Sequence, residues 1–389
     1  MTKRYLAIAL IGLLTGSLAL AVVPPPLQPG EKPVAGTTEA ELWYGMDQAE
    51  KELRQAPVLV RDPALNAYVR DVACKVTGDY CPNLRVYIVD VPVFNASMAP
   101  NGAMLVFTGA LLRIHDESEL ALVLGHEFAH FKLRHSLQYW EKAKHTSAFL
   151  ATLSVVTYAG GVSLVGSVAQ LVGAANMFSY SRDKEREADR VGFQVATALG
   201  YDPQAGVRVW TRMLAEEKAN PRPKPSPVFA SHPKTAERLQ DITAAANALP
   251  AGSVNNRTET YHAAMRPFLD HWLEAELSRR MYDTSIEVIG NLKTTADTDS
   301  QGTYCFYLAE AYRRRNKTDD RAKAQLLYLE AVSHADAPAD AWREQGLILR
   351  DNGHRAEAAL ALHHYLDAKP TANDRAFVES YLSDLEKPK

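Results

Sequence analysis

The chain is poor in cysteine, with 3 in 389 residues, and poor in surplus charge, with a formal net charge of −3. The spacing of Cys74 and Cys81 does not fit a CxxC metal knuckle, which excludes that kind of site. A small disulfide loop between them is the reading that suits an exported protein. Cys305 falls in an apolar helical pattern and reads as a buried small hydrophobe. No cluster of Lys and Arg is interleaved with aromatics, which excludes nucleic acid as a partner. Charge is missing altogether from residues 146–181, a stretch dominated by Ala, Val, Leu, Gly, Ser and Thr. Its glycines and hydroxyls favour a buried or membrane-surface helical hairpin, with peripheral membrane contact, over a true span.

What is there begins with Lys3 and Arg4 ahead of an apolar run from Leu6 to Val23, with Ala19-Leu20-Ala21 as a cleavage site. Residues 1–21 therefore read as a secretory signal peptide, with an uncleaved membrane anchor as the alternative. Residues 22–38, rich in Pro and Gly, read as an extended, mobile leader. Helical spacing follows over Glu39 to about Arg54 and from Pro63 to Val76. Leu84 to Asp90 and Ala103 to Phe107 alternate as strands do and predict a small sheet.

The apolar run Leu120 to His130 carries His126, Glu127 and His130 in the HExxH pattern. Histidines four residues apart share one face of a helix, so both imidazoles can reach a single metal ion, and that geometry suits Zn2+. Glu127 lies one step around the helix, placed to take a proton from water and badly placed to be a ligand. Asp116 with Glu119 is a capping-box variant that starts this helix close to Glu117, and its pattern runs on to about Lys144. His115 and His135 read as surface histidines.

A catalytic zinc needs a third protein ligand, and Glu185-Arg-Glu-Ala-Asp189 supplies it. In a helix, Glu185 and Asp189 share a stripe with Ala188, Gly192, Val195, Ala196 and Leu199, while Glu187 turns away. Carboxylates on such a stripe need partners, which a metal and a histidine N–H provide. Glu185 is thus the expected ligand and Asp189 the support of a ligand histidine. A metzincin is excluded, because Leu133 and Ser136 stand where its glycine and third histidine belong.

From Leu42 to Ala245 the chain resembles the gluzincin metallopeptidases, the family of HtpX and the CAAX prenyl endopeptidases, in its periplasmic BepA-like branch. The features that carry this are Asn95 to Gly102 with Gly109, His126 to His130, Ser181 to Asp189, and Ser231-His-Pro233 with Arg238. The resemblance implies that His232 is a fourth, inhibitory ligand or a contact to the transition state, and that Arg238 helps to stabilise an oxyanion. The proline-rich Pro221 to Pro227 would let His232 move. It also implies misfolded or unassembled envelope proteins as substrates.

From Asn255 onward the pattern is all-helical. Trp342, Gly346, Ala358, Leu362 and Pro370 fall at the spacing of one tetratricopeptide repeat, with Asp351-Asn-Gly353 as its turn. A looser copy places Tyr304, Leu308 and Ala309 on one helix and Ala324, Tyr328 and Ala331 on the next, and Trp272 to Leu292 fits a degenerate third. The expected fold class is mainly α with a small β-sheet. A zincin-type metallopeptidase domain spans residues 39–250, and an α-solenoid of tetratricopeptide-like repeats that receives protein partners spans 255–389. The expected function is that of a periplasmic zinc endopeptidase with Glu127 as base. The alternative is a chaperone-like assembly factor or adaptor that works through its repeats, with a closed metal site.

Overall fold

The computed structural model describes residues 23–143, 180–219, 232, 236–250, 254 and 256–387. The signal peptide expected over 1–21, Pro221 to Pro227, and all but the last two residues of the uncharged segment 146–181 lie outside the described residues.

Helices α1 (Thr38–Leu53) and α2 (Pro63–Thr77) precede three short strands, β1 (Arg85–Val89), β2 (Ala96–Met98) and β3 (Ala103–Phe107). The sheet order is β1-β3-β2, with β1 parallel and β2 antiparallel to β3. The outer side of β1 is engaged by residues 58–60, where Val60 N–H donates to Ile88 O at 2.9 Å and Asp90 N–H to Val58 O at 2.7 Å. Among the described residues, that leaves β2 as the outer strand on the other side. All five residues of β3 are buried, as expected of a central strand in a sheet covered on both faces.

Next come α3 (Thr108–Arg113), α4 (Glu117–Lys132) and α5 (His135–Ala143), then α6 (Arg182–Ala198), α7 (Ala205–Ala219) and α8 (Ala236–Asn247). Helix α4 starts at Glu117 because the Asp116 carboxylate accepts from Glu119 N–H at 2.9 Å, while Glu119 reaches back to His115 N–H. The pattern predicted an unbroken helix to about Lys144, and the structure breaks it. Arg134 adopts a left-handed conformation, with φ of 55°, between α4 and α5. Its guanidinium is held by Glu31 and Glu39, and Lys132 O accepts from Leu27 N–H at 2.8 Å.

The leader packs against this break. Expected to be mobile, it is extended but docked: Leu27 is buried, and Tyr80 Oη donates to its carbonyl at 2.6 Å. A disulfide between Cys74 and Cys81 ties the end of α2 to the turn that carries Tyr80.

The C-terminal part is helical throughout, from α9 (Thr258–Met265), α10 (Leu269–Ser278) and α11 (Tyr282–Thr295) to α12 (Gln301–Arg315) and α13 (Asp320–Ala331). Helices α14 (Ala339–Asp351), α15 (Arg355–Ala368) and α16 (Arg375–Glu386) complete it. Gly346 on α14 lies against Leu362 of α15, so a Cβ there would sit 2.7 Å from that side chain, and Gly353 turns between the helices with φ of +82°. Tyr304, Leu308 and Ala309 on α12 and Ala324, Tyr328 and Ala331 on α13 are buried. Helices α9 to α13 share one apolar core with α2 and α4, through Tyr261, Trp272 and Leu273 among others, whereas α15 and α16 build a second cluster around Leu362 and Val378. Tyr261 Oη donates to Leu111 O at 2.5 Å, deep within that core.

Candidate metal centre

The site is made where α4 crosses α6 at near backbone contact. Gly125 faces Gly192, and a Cβ on Gly192 would lie 2.7 Å from His126 N and 3.0 Å from Gly125 C. Only the missing side chains permit this approach. It sets the stripe of α6 formed by Glu185, Ala188, Gly192, Phe193 and Ala196 against the histidine face of α4. Leu199, predicted on the same stripe, is 47 % exposed, because α6 ends at Ala198.

His126, His130, Glu185 and His232 converge, with one ligand atom from each lying within 4.8 Å of all the others. His130 Nε2 is 3.1 Å from His126 Nε2, and His126 Nε2 is 3.3 Å from His232 Nδ1. Donors about 2.0–2.1 Å from a tetrahedral zinc stand roughly 3.3–3.4 Å apart, so this donor set and its spacing fit that ion. Glu185 is wholly buried, and its two oxygens are each 3.1 Å from His232 Nδ1.

Around these donors, Asp189 Oδ1 lies 2.9 Å from His126 Nδ1 and directs the other ring nitrogen inward. Arg238 is buried and grips Asp189 through Nε at 2.7 Å and Nη2 at 2.8 Å, while its Nη1 is 2.7 Å from Glu185. The fork expected at an oxyanion is thus aimed at these two carboxylates, and its face covers Trp210 at 4.3 Å. Burial pushes the Asp189 carboxyl up, but His126 and Arg238 outweigh it and hold the group at about 2. Glu127 is buried, its carboxyl is raised by burial, and its Oε1 stands 3.6 Å from His232 Nε2. Glu127 and His232 face an apolar cavity lined by Phe94, Ala96, Val209, Trp210 and Met213. Phe94 and Ala96 bring that cavity to the outer strand β2.

Both histidines read as surface residues are in fact buried. His115 Nδ1 meets Thr295 Oγ1 at 2.8 Å. His135 lies directly behind the centre, its Nδ1 2.9 Å from His130 Nδ1. In an unbroken helix, position five after His130 turns away from it; the reversal at Arg134 brings it back. Tyr180, also unforeseen, stacks on the His130 ring at 3.9 Å.

The model of peptidase family M48 matches residues 52–246, half of the chain. This chain belongs to peptidase family M48. It is 32% identical over 169 residues to the mitochondrial metalloendopeptidase OMA1 of Bos taurus, covering 41% of this chain and 32% of that protein. It is 28% identical over 234 residues to the beta-barrel assembly-enhancing protease of Escherichia coli K12, covering 57% and 47%. For the Yersinia pestis protein of that name the figures are 29% over 278 residues, 65% and 55%. The chain therefore spans about a third to a half of the length of the curated relatives it matches. The M48 match ends at the close of α8, before the C-terminal helices begin.

Proposed function

We propose that this M48 chain is a zinc-dependent metalloendopeptidase that hydrolyses misfolded or unassembled envelope proteins in the periplasm. The observation that carries the reading is the convergence of His126, His130 and Glu185 beside a buried Glu127. When bound, zinc supplies Lewis acidity, which polarises a peptide carbonyl and lets water attack it near neutral pH. His126 and His130 would offer Nε2 and Glu185 a carboxylate oxygen. Asp189 fixes the His126 ring by accepting from Nδ1. Arg238 holds the Asp189 and Glu185 carboxylates in place. Glu127 takes the proton from the attacking water and returns it to the leaving amine. The outer edge of β2 offers backbone groups to an extended substrate, whose side chain enters the cavity beside Trp210.

His232 acts as a self-inhibitory plug in this reading. It stands within 3.1 Å of Glu185 and 3.3 Å of His126, in the corner a substrate carbonyl must enter. Residues 1–21 direct export, residues 39–250 form the catalytic unit, and the helices of 255–389 serve as repeats that receive protein partners. The uncharged stretch 146–181 makes peripheral membrane contact. Among the described residues no helix is long and apolar enough to cross a membrane.

The closing position of His232 also favours a second reading, an assembly factor that acts through its helical repeats with the centre shut. Zinc content and cleavage of an unfolded protein separate the two. His232→Ala is expected to cleave faster than the wild type, and Glu127→Gln to keep zinc but lose cleavage. If the wild type and His232→Ala both hold zinc and cleave nothing, the assembly-factor reading stands instead. Unchanged zinc retention in Glu185→Ala removes Glu185 as a ligand.

A further inference from the structure

His126 has an evident support in Asp189, whereas among the described residues no carboxylate lies against Nδ1 of His130. Among the described residues its partner there is His135 Nδ1 at 2.9 Å, and beyond it His135 Nε2 lies 3.2 Å from Glu187 Oε2. His135 is 1 % exposed, so this nitrogen-to-nitrogen contact is made away from bulk water. Glu187 is itself pinned by Lys184 Nζ at 3.0 Å, one turn earlier on α6.

Proton positions along this chain follow from one requirement. A neutral imidazole carries a single N–H, so an Nε2 that gives its lone pair to a metal leaves the proton on Nδ1. His130 Nδ1–H must then donate, and the nitrogen facing it must accept. His135 Nδ1 can accept only when His135 bears its proton on Nε2, and that proton needs an acceptor in turn. Glu187 supplies one. Reversing every bond would put the proton of His130 on Nε2, against the Nε2 of His126, and close the centre to a cation.

We infer that His135 and Glu187 are positioning residues that fix the tautomer and ring plane of His130 for metal binding, as a two-step counterpart of Asp189 on His126. This rests on the metal-binding reading of the centre. It also gives the break at Arg134 a purpose, since the helix reversal is what turns His135 onto the back of His130. Glu185 and Glu187 would thus serve the centre from opposite sides of His130, one from within and one through His135.

The test uses the full chain and zinc or cobalt(II) itself. Zinc affinity is measured by competition with a chromogenic chelator, and the ligand field by the visible d–d bands of the cobalt form. His135→Leu is expected to weaken zinc about 10- to 100-fold and to shift the cobalt bands. His135→Gln keeps an acceptor near His130 Nδ1 and should regain most of the affinity, which a purely packing role would not allow. Glu187→Ala should fall between His135→Leu and the wild type. A folded His135→Leu with wild-type affinity and an unchanged cobalt spectrum overturns the inference while leaving the centre intact. Should His135→Leu not fold, Glu187→Ala decides by the same criteria. A wild type that binds neither metal overturns both this inference and the reading beneath it, and Glu185→Ala distinguishes binding here from binding elsewhere on the chain.

Discussion

Two of the buried clusters of charged groups among the described residues are neutralised in different ways. At the first, Arg113 donates from Nε to Glu216 at 2.8 Å and from Nη2 to Glu276 at 2.7 Å, and Arg279 adds a second guanidinium on Glu276 at 2.7 Å. Burial pushes the Glu276 carboxyl up, but the two arginines outweigh it and hold it below its ordinary value. Two cations meet two anions, and no further ion is needed. At the second, Glu127, Glu185 and Asp189 are served by one guanidinium, that of Arg238, among the contacts described. Burial, with His126 next, drives the His130 imidazole well below its usual basicity. The remaining positive charge must come from a protonated histidine or from a bound cation. A buried cluster that carries its own cations is architecture, and one left short of them is a place for an ion.

The largest effect expected from this comparison is at Arg113. Arg113→Ala leaves Glu216 and Glu276 buried without their shared partner and should cost about 3–5 kcal/mol in denaturant unfolding. Replacing all three by apolar residues of similar size should recover most of that loss. A single substitution that costs under about 1 kcal/mol would mean that water already reaches the cluster, and the contrast would fail.

The crossing of α4 and α6 is the next place to strain it. A Cβ on Gly192 meets the backbone of His126 at 2.7 Å, and backbone cannot step aside as a side chain can. Gly192→Ala should therefore cost about 1–3 kcal/mol and weaken zinc binding as well, because it drives Glu185 and Asp189 away from the histidines. Gly290→Ala, with nothing within 4 Å of its Cβ, is the control and should stabilise slightly. Loss of stability with unchanged zinc affinity would separate the crossing from the centre.

Much of this centre was legible from the sequence because its pieces are local. His126, Glu127 and His130 share one helical repeat, as do Glu185 and Asp189, and Asp116 marks the start of α4 beside them. What was not legible depends on segments far apart in the chain. The stop at Arg134 is held by contacts with Glu31, Glu39 and Leu27, about a hundred residues earlier, and a periodicity that runs past Lys132 conceals it. With the stop hidden, His135 is assigned to the wrong side of its helix and Glu187 loses its partner. β2 has three residues, too few for alternation to register, and the parallel pairing of β1 with β3 leaves no local signature. Gly125 and Gly192 are equally mute until the helices that carry them are crossed.

A pH titration sharpens the same contrast at a further buried carboxylate. Glu50 accepts from Arg85 through Nε on one oxygen and Nη2 on the other, and also from Arg54, Tyr87 and Asn101. Burial pushes its carboxyl up, but Arg85 above all outweighs it and brings the group from 4.5 down to about 2. A folded-state value below the unfolded one stabilises the fold at pH above about 4.5, and that stability is lost as pH falls toward about 2. Glu50→Gln should remove this part of the acid limb, about 1–2 kcal/mol after allowance for the exposed sides of its arginines. An acid limb of the same slope in Glu50→Gln would show that the arginines do not hold this charge.

The smallest effect is expected where a metal-like grouping already contains a cation. Cys305, Glu330 and His334 come close enough to share an ion, yet Lys293 Nζ sits on Glu330 at 2.7 Å. A metal there would have to displace that ammonium from its carboxylate. It would also need a thiolate, and burial above all pushes the Cys305 thiol up to about 12, so that the group stays protonated and is a poor ligand. By the reasoning that separates Arg113 from His126, this grouping is already balanced. Cys305→Ser should leave zinc bound at one equivalent per chain with unchanged affinity, measured by chelator competition, and should cost no more than about 1 kcal/mol in stability. A wild type that holds two equivalents and drops to one on this substitution would show that a resident lysine does not protect a site from metal, and that counting built-in cations is the wrong way to tell such clusters apart.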